Sequence, residues 1–147
     1  MYTIDLFSDG DCEEAGSLEK RVFGSDAWNA NDYRESIALD YILYLAVHEE
    51  DKLIGVCGIR NMCGDGNITN VCVDPAYRRK GVATGMLKEL IQRSRMMGVK
   101  DYTLEVRESN ESAIKLYEKL GFKSEGIRPN FYSHPIENAL IMWKRGE

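Results

Sequence analysis

The sequence predicts an α/β domain of the α+β kind, a mixed sheet with helices on both faces, and three observations carry that prediction. First, 147 residues suffice for such a sheet, since a chain of this length buries roughly 70% of its unfolded surface. Second, elements follow in the order β-α-α-β-β-β-α-β-α-β-β over one domain, 1–147. Third, hairpins precede two strand-helix crossovers, so the sheet is antiparallel at one end and locally parallel where right-handed crossovers are required. Ligands of such sheets favour the place where parallel neighbours diverge.

Each element has a local cause. Tyr2 to Phe7 alternates apolar and polar side chains as a strand does, and Asp9, Asp11, Glu13 and Glu14 then load acid into a helix start, where the macrodipole favours it. Leu18, Val22 and Phe23 give that helix its inner stripe before Gly24 ends it. A second helix follows Asn29 or Asn31 as cap, with Tyr33, Ile37 and Ala38 at helical spacing and Trp28 before it, pinning the corner or, in its other reading, contacting substrate. Tyr41 to His48, Lys52 to Met62 and Asn67 to Val73 read as three strands, parted by Glu49-Glu50-Asp51 and by a Gly64-Asp65-Gly66 turn. Asp74-Pro75 breaks the third strand. Val82, Met86, Leu87, Leu90, Ile91 and Met97 mark the next helix, with Gly98 at its end, and Tyr102, Leu104 and Val106 mark a strand. Ser109 to Leu120 is an amphipathic helix closed by Gly121, and Phe122 to Arg128 and Ala139 to Lys144 are the final strands.

Composition excludes several classes. The 24 acidic against 19 basic residues give a net charge of -5, which opposes nucleic acid and anionic membrane surfaces and suits a cationic partner. The longest apolar run, Tyr41 to Val47, falls far short of the roughly 20 residues of a membrane helix, and Asp5 and Asp9 interrupt any signal peptide. A cytoplasmic protein is expected. Cys12, Cys57, Cys63 and Cys72 form no CxxC pair, and with only His48 and His134 there is no zinc-ligand spacing, so reduced buried thiols and no metal are expected.

Tyr77-Arg78-Arg79-Lys80-Gly81-Val82-Ala83-Thr84-Gly85 joins the strand ending at Val73 to the helix beginning near Val82. A helix N-terminus aims unpaired N–H groups outward, and Gly81 with the small Ala83 lets a diphosphate approach them closely. Arg78, Arg79 and Lys80 add cationic donors. From the loop alone, a glycine bend with a solvated basic turn explains the residues equally well. The P-loop pattern GxxxxGK(S/T) is absent. A dinucleotide fingerprint could align only Gly81 and Gly85, with Glu105 as the later acid, but the chain is short for that sheet and its first half does not alternate strand with helix.

What remains is Arg78-x-x-Gly81-x-Ala83, and here the sequence resembles the GNAT acyltransferase superfamily, whose element order is also the one above. Val71-Cys72-Val73-Asp74-Pro75-x-Tyr77-Arg78-Arg79-Lys80-Gly81, Leu104-Glu105-Val106-Arg107-x-Ser109-Asn110-x-x-Ala113-Ile114-x-Leu116-Tyr117-x-x-Leu120-Gly121-Phe122 and Ile127-Arg128-x-Asn130-Phe131-Tyr132 sharpen the resemblance to the bacterial ribosomal-protein-alanine N-acetyltransferases. It is dense from Ile68 onward and thin before. The resemblance implies acetyl-CoA as co-substrate, held through its pantetheine by the backbone of Val71, Cys72 and Val73, through its pyrophosphate by Arg78, Arg79, Lys80, Gly81, Val82, Ala83 and Thr84, and by Asn110. It implies as partner the N-terminus of a small-subunit ribosomal protein, beginning with alanine and continuing with basic residues.

Acetyl transfer to an amine needs a neutral nucleophile, a stabilised oxyanion and a proton for the leaving thiolate. An α-amino group has a pKa of about 7.7 to 8.0, so a carboxylate working through one water suffices as base. Glu105 is the candidate: it stands between Leu104 and Val106 in a strand expected to be covered on both faces, a poor place for an unpaired charge. Its other reading is an ion pair with Arg107 or Arg128. The resemblance assigns it as general base. Asn110, Ile114 and Tyr117 share a helix face, and a phenol of pKa about 10 can donate to an emerging thiolate of about 8.5. Packing is the other reading of Tyr117, and the resemblance makes it the general acid. A backbone N–H of the strand ending at Val73 would meet the oxyanion.

The acceptor end departs from the family. Phe131-Tyr132 replaces paired tyrosines, the Ser133 to Glu137 loop looks short, and Asn138 stands where an aspartate is expected. Tyr132 is the candidate for lining the peptide groove, with plain surface packing as its other reading. Cys72 lies near the presumed co-substrate, but no histidine is placed to activate it, so direct transfer without an acetyl-enzyme is expected. A lysine side chain or small amine as acceptor, or a non-catalytic acetyl-CoA-binding module, are the alternatives.

Overall fold

Period-two alternation and helical periodicity resolve into seven strands and four α-helices in the computed structural model, which describes residues 1–146. The strands are β1 (Thr3–Leu6), β2 (Ile42–Glu49), β3 (Lys52–Met62), β4 (Asp65–Val73), β5 (Asp101–Arg107), β6 (Lys123–Ser133) and β7 (Ile136–Lys144). The helices are α1 (Cys12–Phe23), α2 (Ala30–Ile37), α3 (Val82–Met96) and α4 (Glu111–Lys119). The strands form one sheet in the order β1-β2-β3-β4-β5-β7-β6. Only β4 and β5 pair parallel; every other neighbour is antiparallel. The α3 crossover sets that parallel pair.

Side-chain alternation divides the core between the two faces. Leu45, Val47, Ile54, Cys57, Ile59, Tyr102, Leu104 and Val106 pack with Val82, Met86, Leu87 and Leu90 of α3 and with Tyr117 of α4. The other face carries Ala46, Leu53, Val56 and Cys72 against Cys12, Ala15 and Leu18 of α1 and Tyr33 of α2. Each fully buried large apolar side chain contributes about 1.5–3 kcal/mol over its exposed state, so both layers matter to stability. Among the described residues no helix is long and apolar enough to cross a membrane.

Several boundaries differ from the sequence reading, each for a physical reason. The β3–β4 turn is Cys63-Gly64, both at positive φ (56° and 96°), and Asp65 and Gly66 already pair with β3; a two-residue turn of that handedness matches the strand twist. Asn29, not Asn31, caps α2, its side chain accepting from Asp32 N–H. Phe23 and Met97 leave the inner stripes, each 45% exposed, and Glu19 takes the inward place on α1. β6 runs on past Arg128, through Pro129, to Ser133, and β7 starts already at Ile136, leaving His134-Pro135 as the turn. Proline is tolerated there because β6 is an edge strand whose register shifts between Arg128 and Tyr132.

Candidate active site

The parallel pair opens almost as soon as it forms. β4 and β5 pair only where Asp65 to Asn67 face Asp101 to Thr103, after which the strands part. A bulge is the cause: Gly58 pairs Asn70 while Ile59 pairs Ile68, leaving Thr69 as an extra residue that bends β4. Asp74 N–H donates to the Ile54 carbonyl at 2.8 Å. Strand alternation then turns Cys72 toward β3 as well, and directs the backbone groups of Val71 and Val73 into the gap. A cavity of about 540 Å³ fills that gap, lined by Thr69 to Val71, Leu104 to Arg107, Tyr117, Tyr132 and the end of α1.

Arg78 lines the cavity, and the loop it belongs to leads to the N-terminus of α3, whose own residues lie outside the cavity lining. Gly81 caps it in the left-handed region (φ 80°), and no side chain caps the helix. Arg79 is also left-handed, at φ 63°. The first intrahelical bond runs from Gly85 N–H to the Gly81 carbonyl, so among the described residues the amides of Val82, Ala83 and Thr84 have no backbone acceptor. Arg78, Arg79 and Lys80 are exposed around them. A cradle of free N–H groups ringed by cations at a helix dipole fits a diphosphate. The approach to it is fixed by Asp74, which Arg21 and Lys52 flank at 3.2 and 3.6 Å. Burial opposes its charge, but the Ala76 N–H, Lys52 and Arg21 overcome that and hold its carboxyl below the usual range. Asn110 caps α4, its Oδ1 accepting from Ala113 N–H at 3.2 Å, and lines the same cavity.

Glu105, Tyr117 and Tyr132 converge on the cavity from three elements. The expectation of a strand covered on both faces needs correction at Glu105. Leu104 and Val106 are buried against the α3–α4 face, while Glu105 points the other way, partly buried, into the cavity beyond the end of α1. Among the described residues it makes no ion pair: Arg107 is taken by Asp26 and Glu137, and Arg128 lies over the Phe131 ring. Tyr117 is 7% exposed and its phenol is pushed well up, first by burial and then by Tyr132 and Cys57. Among the described residues every fully buried polar side-chain atom has a partner, and Tyr117 Oη has none, so that oxygen opens to the cavity. Burial, opposed by Arg107 and reinforced by Glu105, raises the Tyr132 phenol to about 12. Two phenols and one carboxylate thus face one cavity. Cys72, 1% exposed, has its thiol raised to about 12 by burial and by Glu19; as a neutral thiol it is a poor nucleophile.

Sequence reasoning did not single out Glu19. It is 3% exposed, lines the cavity, and its Oε2 accepts from Tyr33 Oη at 2.5 Å and Asn70 Nδ2 at 3.0 Å. Asn70 Oδ1 in turn accepts from Tyr44 Oη and Thr69 Oγ1. Tyr44 reaches it because its ring lies on Gly58, where a Cβ would collide with the ring. The network pins the bulged strand to α1 and α2. Its signal was available: Glu19 falls on the helical phase of Cys12, Ala15 and Leu18. Trp28 packs at 5.4 Å from the Tyr33 ring, as expected of a corner residue, and also lines the cavity.

Comparison with known proteins follows the same lines. Residues 12–122 match the family model described as acetyltransferase (GNAT) family. The [ribosomal protein bS18]-alanine N-acetyltransferase of Salmonella typhimurium (strain LT2) is 32% identical over 144 residues, spanning 97% of this chain and 96% of that protein. The crystal structure of the ribosomal-protein-S18-alanine N-acetyltransferase from Escherichia coli superimposes with a TM-score of 0.90 at 30% identity, covering 100% of this chain and 95% of that one. PaiA N-acetyltransferase from Thermoplasma acidophilum, solved with coenzyme A, shares the fold at 18% identity and a TM-score of 0.80, with 99% of each chain covered.

Proposed function

The chain belongs to the acetyltransferase (GNAT) family, an N-acetyltransferase with acetyl-CoA as co-substrate, and we propose that its acceptor is the α-amine of a protein N-terminus, the N-terminal alanine of a small-subunit ribosomal protein in the cytoplasm. The observation that carries this reading is an unpaired carboxylate and a free phenol, Glu105 and Tyr117, facing one cavity where β4 and β5 part. An α-amine needs only a weak base near neutral pH, and Glu105 supplies one through a water. The relatives named for bS18 alanine support the acceptor.

In this reading the free N–H groups of Val82, Ala83 and Thr84 and the cations of Arg78, Arg79 and Lys80 hold the diphosphate of coenzyme A, and Asn110 with the backbone of Val71 to Val73 holds the pantetheine. A Val71 or Val73 N–H turned into the gap donates to the carbonyl oxygen as it gains charge. Glu105 takes the amine proton. Tyr117, kept protonated by its buried site, gives its own to the departing sulfur. Cys72 takes no part, because a buried neutral thiol cannot compete with the amine for the acetyl group.

The test is an incubation with acetyl-CoA and two peptides, one beginning Ala-Arg and one with a blocked N-terminus and an internal lysine, read by mass. Acetylation of the first alone is expected; modification of only the blocked peptide would exclude the α-amine as acceptor. Glu105→Gln and Tyr117→Phe each lower kcat by about 100-fold, the usual share of one proton-transfer group, with acetyl-CoA affinity unchanged by calorimetry.

A further inference from the structure

The α1–α2 segment and the β6–β7 turn lie more than a hundred residues apart in sequence, yet one guanidinium joins them at the mouth of the cavity. Arg107 Nη2 donates to Asp26 Oδ2 and to the His134 carbonyl, each at 3.3 Å. Its Nη1 donates to the Pro135 carbonyl at 3.0 Å and to Glu137 Oε1 at 3.1 Å. The same group sits 4.3 Å from the centroid of the Tyr132 ring. His134 Nδ1 adds a second bridge, 3.2 Å from Asp26 Oδ1. Glu137 Oε2 accepts from Ser109 N–H at 2.7 Å, which carries the network to the start of α4.

Two features make this more than a surface ion pair. Arg107 lies two residues after Glu105, so both side chains project from the same face of β5. Tyr132 has its ring against Arg107 and lines the same cavity as Glu105. The fork also divides its donors among four acceptors on two loops and offers its face to a ring, an arrangement that an ammonium cannot reproduce. Only 23% of the Arg107 side chain is exposed, which limits screening.

We propose that Arg107 is a positioning residue of the acceptor groove, one that fixes the separation of the α1–α2 segment from the β6–β7 turn and holds the Tyr132 ring beside Glu105. The proposal rests on the reading of this cavity as the acceptor site. It touches no reacting atom; it acts through Tyr132 and the two loops.

R107M and R107K test it with two independent readouts. Amide hydrogen exchange in R107M is expected to rise at least about fivefold at residues 24–28 and 133–137 while the β2–β4 core is unchanged, with a smaller rise in R107K. In steady-state assays with acetyl-CoA and the Ala-Arg peptide, the peptide KM of R107M rises about tenfold, and kcat and the acetyl-CoA KM stay within about twofold. Unchanged exchange in both loops overturns the proposal, as does a fall in kcat at constant peptide KM. Should the wild-type enzyme acetylate no peptide, the acceptor reading fails, and the exchange data still decide whether Arg107 joins the loops.

Discussion

A carboxylate two residues from an arginine ordinarily reads as half of an ion pair, and at Glu105 that reading fails because Arg107 is saturated by Asp26, Glu137 and two carbonyls. The availability of Glu105 is thus set by its neighbours' partners, which no local pattern encodes. Glu105 and Tyr117 stood out through the family resemblance, and both line the cavity, whereas Glu19 was hidden by its type: an acid in an amphipathic helix looks solvated until its phase is counted. The same neighbourhood logic governs the cysteines. Cys12, Cys57 and Cys72 are buried with thiols raised by desolvation, and Cys63 alone among the free thiols is exposed. N-ethylmaleimide is therefore expected to label Cys63 and no other cysteine in the folded protein, by mass mapping, with acetyl transfer intact. Loss of activity accompanying single labelling at Cys63 would contradict the proposal that the chemistry occurs in the β4–β5 gap.

At the scale of elements, the strands and helices that alternate or repeat cleanly were legible, and the errors fell where a special backbone conformation replaced a pattern. Cys63 carries a positive φ that a non-glycine residue seldom adopts, so the β3–β4 turn read one residue late. Pro129 looks like a terminator, yet a bulged edge strand absorbs it. The bulge at Thr69, which opens the sheet, has no sequence signature at all. Gly81 is the opposite case, since its role follows from its type. A Cβ there meets nothing within 4 Å, so Gly81→Ala costs only the left-handed conformation at φ 80°, about 1–2 kcal/mol. That loss lowers Tm by roughly 2–8 °C, and the relaxed turn raises the acetyl-CoA KM. Gly98, at φ 96° with the same open space beyond the other end of α3, supplies the control. Gly98→Ala is expected to match the Tm loss and leave the acetyl-CoA KM at the wild-type value; equal KM values in the two variants would remove Gly81 from the proposed diphosphate site.

Over the whole molecule, the electrostatics that shape the cavity also set how stability depends on pH, and the two limbs have separate origins. Asp74 is depressed below its ordinary value of 3.8 by the Ala76 N–H and its two cations, so its contribution is complete above that value and is lost as pH falls through the folded-state pKa. Glu19 has the reverse sign. Burial raises it above 4.5, against the hydrogen bonds from Tyr33, Asn70 and Trp28 that favour its charge. The folded state then holds the proton more tightly than the unfolded chain, and stability declines as pH rises from 4.5 through the elevated value. A carboxylate buried this way keeps hydrogen-bond partners on α2 and the bulged β4, and so ties both to α1 beside the β4–β5 cavity. Thermal melts from pH 3 to pH 9 therefore show a maximum, with Asp74→Asn flattening the acid limb and Glu19→Gln flattening the other. A Glu19→Gln profile that kept the wild-type decline above pH 4.5 would show that another group titrates there and that the network around Asn70 carries no net charge penalty.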